Sequence, residues 1–507
     1  MAPLADLYQV SMAYGHWRAG RHRAPAAAEL FFRRPPFRGS FALGAGLAEG
    51  LRGLRAFRFS AADVAYLRSV LPSTTDDAFF DYLATLDASE VTVTAIPEGS
   101  VVFPRVPFLQ VKGPLLVVQL LETTLLCLVN YASLVATNAA RFRLLAGPDV
   151  KLMEMGLRRA QGPDGALSAS KYSYIGGFDC TSNILAGKLY GIPDLPPRAG
   201  GDPVDLAGLA VSWLQRVCDL LQTPPSKANQ GELAAFVSYA VTFPCDFQGL
   251  LDTYCVRRLD IPSSPSLAPE QRGSSSWSIS MASSGPVPAA PHPPDVGPQG
   301  WSSSAGASVG SWPILCPPEA PSSPQAGGGR MPNFGAVLGF FNCLFSADLH
   351  QWPPQRGHRF PSLLPQLVEV NGSPCLKLTE DEEKMTIPGM KAIYRLYDAA
   401  GHPFMDLMAL EEEPSPSAGQ ELGIHVLGQL GETTTVIPSM VEPLHRTYFR
   451  DGQVCEPLPS LPEVRTHAQV SLNLLSPAHR RLHEPQPYPV AVTERLHRLF
   501  LELRQGS

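Results

Sequence analysis

The chain has 507 residues, 44% of them hydrophobic and 17% charged, with a formal net charge of −6 at pH 7. That length supports two or three domains around a substantial core, and the charge excludes a general binder of nucleic acid or anionic membrane, although not a local basic pocket for a phosphorylated small molecule. Nine cysteines are scattered from Cys127 to Cys455 without a CxxC pair, which excludes a secreted disulfide scaffold and a zinc ribbon and points to a reducing compartment, the cytosol.

The N-terminal stretch to Arg18 carries acidic Asp6 and lacks the basic-then-apolar layout of a signal peptide. Ser60-Ala-Ala-Asp63 is a capping-box-like start, with Val64, Leu67 and Leu71 spaced for one helical face, and Phe79, Leu83 and Leu86 repeat the pattern on a second helix. The period then shortens. Val91 to Ile96 alternates like a strand, Pro97-Glu-Gly99 turns, and Val101 to Val111 reads as more strand. Leu115 to Ala136 is apolar enough to suggest a membrane span, but Gln119, Glu122 and Asn130 interrupt it, and an unpaired carboxylate in lipid is costly. The better reading is a buried core helix running to Arg141.

From Lys151 to Gly191 short apolar runs alternate with Gly, Ser and Thr, the look of strand ends and loops that meet a ligand. Helical patterning returns at Val204 to Leu221 and Glu232 to Thr253. Between Ile261 and Arg330 more than half of the residues are Pro, Ser or Gly, too little apolar area to offset the entropy of ordering, so this stretch reads as disordered. Phe334 to Phe345 is an apolar island without strand or helix logic. Beyond it, Val370-Asn371-Gly372 reads as a hairpin turn between Leu367–Val370 and Cys375–Leu378. Ile393 to Tyr397 is a further strand, and the tail from Leu472, with Leu482, Val492, Leu496, Phe500 and Leu503, a closing helical segment.

Several clusters invite a chemical reading. Arg33 and Arg34 follow the apolar run Leu30-Phe-Phe32, and planar guanidinium groups suit phosphate, although alone such a pair is most often solvated charge at a strand end. Leu157-Arg158-Arg159-Ala-Gln-Gly162 sets two more arginines beside a glycine-rich loop. Thr181-Ser182-Asn183 offers hydroxyls and an amide just after Gly176-Gly177-Phe178.

In this order the clusters resemble nicotinate phosphoribosyltransferase. They are Asp6-Leu-Tyr8, Phe31-Phe-Arg-Arg34-Pro-Pro-Phe37, Pro97-Glu-Gly99, Leu121-Glu-Thr-Thr-Leu-Leu126, Ala136-Thr-Asn138, Met155-Gly-Leu-Arg158-Arg-Ala-Gln-Gly162 and Gly176 to Asn183, then Lys377-Leu-Thr-Glu-Asp381, Lys384, Pro388-Gly389, Lys391 and Arg395. The resemblance implies an α/β fold of the type II phosphoribosyltransferase kind, a mixed α/β domain plus an α/β, TIM-like barrel that is incomplete here and carries a long disordered insert. It sets boundaries at 1–135 for the N-terminal mixed domain, 136–258 for a partial barrel, 259–345 for the insert, 346–366 unassigned, and 367–507 completing the mixed domain. It implies ATP-dependent formation of nicotinate mononucleotide from nicotinate and 5-phosphoribosyl pyrophosphate, a step of NAD synthesis. ATP is the co-substrate, Mg2+ or Mn2+ the metal, and the enzyme is a cytosolic homodimer without nucleic-acid or membrane partners. Tyr8 resembles the aromatic that stacks on the pyridine ring, the alternative being a core tyrosine. Arg158, Thr181 and Ser182 resemble the nicotinate pocket. Arg33 and Arg34 resemble the pair that reaches phosphate in the neighbouring subunit, and Lys377 and Lys384 a basic segment for the other phosphates, the alternative for both being exposed charge.

The chain also departs from the family. The resemblance implies a Gly-Thr-x-Ala-His motif soon after Asn183, its histidine phosphorylated by ATP, yet Gly191-Ile-Pro193 runs straight into Asp194-Leu-Pro-Pro, and no histidine lies between His22 and His292. The Arg-Leu-Asp-Ser-Gly-Asp strand and the later Gly-Thr phosphate loop are absent too. The expectation is therefore an impaired or inactive member. The alternative is a splice or gene-model variant without catalysis, acting only as a dimerisation partner.

Overall fold

A computed structural model describes residues 4–193, 248–250, 277–279, 337–340, 363–377, 379, 385–428 and 433–505. The readings at 204–221 and of the insert outside its two short strands lie beyond these residues, as does Lys384. The chain forms two compact units, one of Met1–Pro148, Leu152–Pro196 and Asn342–Ser507, the other of Asp149–Lys151 and Pro197–Phe341.

The first unit opens with α1 (Leu7–Arg18) and β1 (Pro25–Phe32). A 3-10 turn at Pro36–Arg38 leads to β2 (Ala42–Leu43), α2 (Leu47–Arg55), α3 (Ala61–Val70) and α4 (Asp77–Thr85). Ser60 and Asp63 form the anticipated capping box of α3, each side chain taking the other's backbone N–H. There follow β3 (Thr92–Ala95), β4 (Val101–Val102) and β5 (Leu109–Pro114). The strand read across Val101 to Val111 is therefore two strands. Residues 103–108 leave the ladder, with Arg105 at φ +72°.

The long helix α5 (Leu115–Ala146) extends past Arg141 and has a hydropathy high enough to cross a membrane, but it is the core of this unit. It packs on α1, α2, β1, β2 and β5. Its polar side chains face inward for a purpose. Thr137 Oγ1 accepts from Leu43 N at 2.9 Å and Ser133 Oγ from Ala45 N at 3.0 Å, anchoring β2 to the helix. Satisfied polar groups of this kind belong to a packed interior rather than to lipid.

The stretch Lys151–Gly191, read as strand ends and loops, is more regular than that. It holds β6 (Lys151–Glu154), a 3-10 turn at Leu157–Arg159, α6 (Gly162–Ile175), β7 (Cys180–Thr181) and α7 (Ile184–Tyr190). The Ser-rich sequence of α6 hid it. The helix starts with Pro163 in its first turn and hides Ala166, Ala169, Tyr172 and Ile175. The second unit shows three short parallel strands in the order β10 (Val337–Phe340), β9 (Trp277–Ile279), β8 (Gln248–Leu250). Two of them, β9 and β10, fall within the stretch read as the insert, and β8 falls within the helix read over Glu232 to Thr253, the rest of which lies outside the described residues.

The C-terminal part rejoins the first unit. β11 (Leu363–Val370) pairs antiparallel with β1, and the Asn371-Gly372 turn returns into β12 (Ser373–Pro374) with φ +51° and +71° at its two central residues. That hairpin is the expected one, its return strand two residues early. β13 (Lys391–Tyr397), β14 (Pro403–Leu410), β15 (Leu422–Val426), β16 (Thr433–Val436), β17 (Met440–Pro443), β18 (Arg446–Arg450) and β19 (Gln453–Val454) follow. The tail is not one helical segment but α8 (Leu461–Leu474), α9 (Pro477–Arg480), β20 (Val490–Thr493) and α10 (Glu494–Gln505).

A seven-stranded sheet runs β12-β11-β1-β5-β3-β18-β19, and a six-stranded one β16-β15-β20-β14-β13-β17. Both ends of the chain build each of them or pack on them. Lys391 and Arg395 prove structural. Lys391 pairs with buried Glu29 at 2.8 Å and donates to the Ile387 and Gly389 carbonyls.

One histidine ties the two halves together. His445 Nε2 lies 2.8 Å from the Pro107 carbonyl, and burial pushes its pKa down to about 4. The folded value lies below the unfolded one, so the stability this neutral ring supports is present above pH ~6.5 and is lost as pH falls toward 4. Urea midpoints should drop across that window, and less steeply in His445→Gln, whose amide keeps a donor but cannot charge. Parallel profiles for the two proteins would refute the assignment.

Candidate functional site

Two parallel strands of the first unit present their C-terminal ends together. Met153 pairs with Cys180 and Glu154 with Thr181. The C-terminal edge of parallel strands is where α/β folds bind ligands, because the loops leave there and backbone N–H groups turn toward the opening. Here the loop after β6 carries Arg158 and Arg159, both exposed, and the loop after β7 carries exposed Ser182.

Buried Glu154 organises this edge. It accepts from Gly156 N through Oε1, and from Ser170 Oγ and Thr181 Oγ1, both at 2.7 Å, through Oε2. Its carbonyl accepts from Ser182 N at 2.8 Å. Thr181 Oγ1 in turn accepts from Asn183 N at 3.0 Å, and Asn183 Nδ2 donates to Ser170 Oγ at 3.1 Å while its Oδ1 caps α7 through Ala186 N. One carboxylate therefore fixes the Arg158 turn, α6 and the Ser182 loop in a single network, the arrangement that keeps a binding surface rigid. Thr181 is spent within the loop. Ser182 and Arg158 are the exposed residues of the two loops, and a hydroxyl together with a guanidinium suits a planar carboxylate. Tyr131, whose hydroxyl donates to the Gly165 carbonyl at 3.3 Å, has its pKa raised to about 12 by burial and by the Glu154 charge.

Gly176 and Gly177 precede this loop for steric reasons. A Cβ at Gly176 would lie 2.4 Å from the Ala136 carbonyl oxygen, and Gly177 has φ +110° against the Arg143 side chain.

Tyr8 occupies a second place, on α1, where it is 55% exposed, so the reading as a core tyrosine does not hold. Gln9 roots the helix by donating to the Gln119 carbonyl at 3.0 Å and accepting from Asp6 N and Thr123 Oγ1. Burial and the charges of Glu122 and Asp6 raise the Tyr8 pKa. Burial raises that of Glu122, and a hydrogen bond from Gln9 and the Lys377 charge oppose it. Lys377 is exposed, its backbone N–H donating to Thr386 Oγ1 at 2.9 Å. Arg33, half-buried, and Arg34, exposed, stand at a third place, the exit of β1. Among the described residues no group of three or more His, Cys, Asp or Glu is set to hold a metal ion.

The loops of Arg158 and of Thr181 and Ser182 thus come together, whereas Tyr8 stands on α1, Lys377 beyond β12, and Arg33 and Arg34 at the exit of β1. Sequence reasoning missed Glu154, Ser170 and Asp179. A carboxylate inside the apolar run Leu152-Met-Glu-Met155 was the available signal, since buried acids are retained only with partners.

Comparison with known proteins shows which family the chain resembles. Residues 4–130 match the model of the nicotinate phosphoribosyltransferase (NAPRTase) N-terminal domain and residues 390–500 that of the nicotinate phosphoribosyltransferase C-terminal domain. The chain is 48% identical to nicotinate phosphoribosyltransferase of Bos taurus over 526 residues, covering 98% of this chain and 95% of the bovine protein. It is 48% identical to that of Homo sapiens over 531 residues, covering 99% and 97%. The crystal structure of human nicotinic acid phosphoribosyltransferase superposes with a TM-score of 0.69 at 42% identity, covering 98% of this chain and 99% of the human one. Nicotinate-nucleotide pyrophosphorylase from Pyrococcus furiosus shares the fold, at TM-score 0.53 and 15% identity over 93% of this chain and 95% of its own.

Proposed function

The chain belongs to the nicotinate phosphoribosyltransferase family, with the type II phosphoribosyltransferase fold, and from that premise we propose that it binds nicotinate and 5-phosphoribosyl pyrophosphate for nicotinate mononucleotide synthesis, with impaired turnover. The observation that carries the binding half is the β6–β7 edge, where Glu154 holds the Arg158 turn and the Ser182 loop side by side. Nicotinate is a flat acid. Arg158 supplies a fork for its carboxylate, Ser182 a hydroxyl, and Tyr8 an exposed ring able to cover a pyridine face. Arg33, Arg34, Lys377 and Lys384 supply positive charge for the phosphates of the sugar substrate and of ATP.

Tyr8 and the two arginines lie apart from that edge in sequence and on other elements, which fits a homodimer in which each subunit lends them to the other's pocket. A cytosolic setting fits the unpaired cysteines Cys127 and Cys455 on the surface. ATP, when bound, would supply the energy of phosphoryl transfer. The stretch from His22 to His292 offers it no imidazole, and the described residues offer Mg2+ or Mn2+ no protein-built cage. Impairment follows because binding alone does not replace groups that act in the transition state.

Purified protein assayed with nicotinate and 5-phosphoribosyl pyrophosphate should bind labelled nicotinate yet form nicotinate mononucleotide at a rate that ATP does not raise. An ATP-stimulated rate would refute the impairment. Absence of nicotinate binding would refute the pocket.

A further inference from the structure

The loop that presents Ser182 is fastened from two distant parts of the chain. Its preceding turn, Gly176-Gly177-Phe178-Asp179, links α6 to β7. Arg143, near the end of α5, donates Nε to the Gly177 carbonyl at 2.9 Å and Nη2 to Asp179 Oδ2 at 2.6 Å. Arg465, on α8, donates Nε to the Phe178 carbonyl at 3.3 Å and Nη2 to the Gly177 carbonyl at 3.4 Å, and pairs with Asp179 Oδ1 at 3.1 Å. Its guanidinium also lies 4.9 Å from the Tyr174 ring centroid. Asp179 completes the junction by accepting from Leu152 N at 2.9 Å and donating its own N–H to the Leu152 carbonyl at 2.8 Å.

One carboxylate thus reconciles two guanidinium groups that would otherwise repel. Burial and the Arg465 charge lower the Arg143 pKa, and Asp179 opposes them. The side chains of all three are largely covered, at 15%, 20% and 20% exposure for Arg143, Asp179 and Arg465. The spacing matters because Thr181 and Ser182 follow Asp179 by two and three positions, with only one short strand between. Whatever sets the height of the Asp179 backbone against Leu152 sets the register in which Ser182 meets Glu154 and the Arg158 turn.

We propose that Arg465 is a positioning residue: acting through Asp179 and the Gly177 and Phe178 carbonyls, it fixes the Thr181–Ser182 loop and so governs affinity for a pyridine carboxylate that it does not touch. This rests on the reading of the β6–β7 edge as the base pocket. It also gives the C-terminal segment a part in binding, through a residue 286 positions beyond Asp179.

Arg465→Lys separates positioning from bulk stability, because an ammonium keeps the charge beside Asp179 but cannot fork to two carbonyls. Two measurements are made on the full chain. Amide hydrogen exchange over residues 176–183 should quicken in Arg465→Lys, above all at Asp179 and Ser182, with exchange in the six-stranded sheet unchanged. The Kd for nicotinate, by equilibrium dialysis, should rise about tenfold with little change in Tm. Arg465→Met and Asp179→Asn should move both readouts further. Val492→Ala, in buried β20, should lower Tm and leave the Kd alone. Unchanged exchange at 176–183 in Arg465→Lys overturns the proposal whatever the protein binds, and so does faster exchange with an unaltered Kd. If the parent protein binds no nicotinate, the pocket reading falls instead, and the exchange result alone decides whether Arg465 sets the loop.

Discussion

Replacing Arg395 by Met is expected to cost about 3–5 kcal/mol of folding stability, because it leaves a carboxylate buried without its counter-charge. Arg395 forks onto Asp406, Nε to Oδ1 at 2.8 Å and Nη2 to Oδ2 at 2.9 Å, with side-chain exposures of 7% and 0%. Its Nη2 also donates to the Val101 carbonyl at 2.9 Å, joining β13 to β4 and so the six-stranded sheet to the β2–β4 pair. Tyr488 donates to Asp406 Oδ1 at 3.2 Å and stacks on Phe103 with centroids 3.6 Å apart. Burial alone would lower the Arg395 pKa, but Asp406 outweighs it and keeps the group charged. Methionine fills the space of the alkyl stem and leaves Asp406 facing only the tyrosine hydroxyl, with the Val101 carbonyl bereft. The double change Arg395→Met with Asp406→Leu should recover most of the loss, since a buried pair is often replaceable by apolar side chains even where neither partner is expendable alone. Urea denaturation of the parent, the single and the double variants tests this. A single variant within about 1 kcal/mol of the parent would show that the pair is not the clasp described here.

Glu154→Ala is expected to abolish measurable nicotinate binding in the proposed pocket, a loss of at least about 100-fold, because it strands three donors at once. Gly156 N, Ser170 Oγ and Thr181 Oγ1 all converge on this carboxylate, and the Ser182 backbone is tied to the same residue. The loss acts on geometry. With no common acceptor, the Arg158 turn and the Ser182 loop keep their residues but not their spacing. Glu154→Gln preserves the volume and one acceptor, so its effect should be smaller, about tenfold, with the Ser170 and Thr181 hydroxyls reorienting around the amide. Titrating both variants with labelled nicotinate, alongside Tm, gives the comparison. Equal affinities for Ala and Gln, or an Ala variant that binds as the parent does, would remove Glu154 from the site.

Several elements could be read directly. The Ser60/Asp63 capping box, the α5 core helix and the Asn371-Gly372 hairpin each follow from a local rule: a side chain that bonds the backbone three residues on, an apolar run too polar in places for lipid, a dipeptide suited to positive φ. Helix α6 could not be read this way. Its Ser and Gly content signals a loop, and only packing against α5 and α8 stabilises it. The strands from β14 to β19 went unread for a different reason: several pair with a neighbour in the chain, yet β14 is covered on both faces and β16 is open on both, so neither shows the alternation that marks a strand.

The sequence by itself determined the family, the order of the clusters, and which side chains could hold a flat acid and a phosphate, because residue type and spacing decide what chemistry is on offer. Only the tertiary structure decided which of those groups share a place. Arg158, Thr181 and Ser182 meet through Glu154, whereas Lys391 and Arg395, equally conspicuous in the sequence, are buried in ion pairs with Glu29 and Asp406. Whether a charge faces a ligand or a buried counter-charge depends on which strands pair and in what register: Lys391 meets Glu29 from the opposite end of the chain, and Arg395 faces Asp406 across the β13–β14 hairpin.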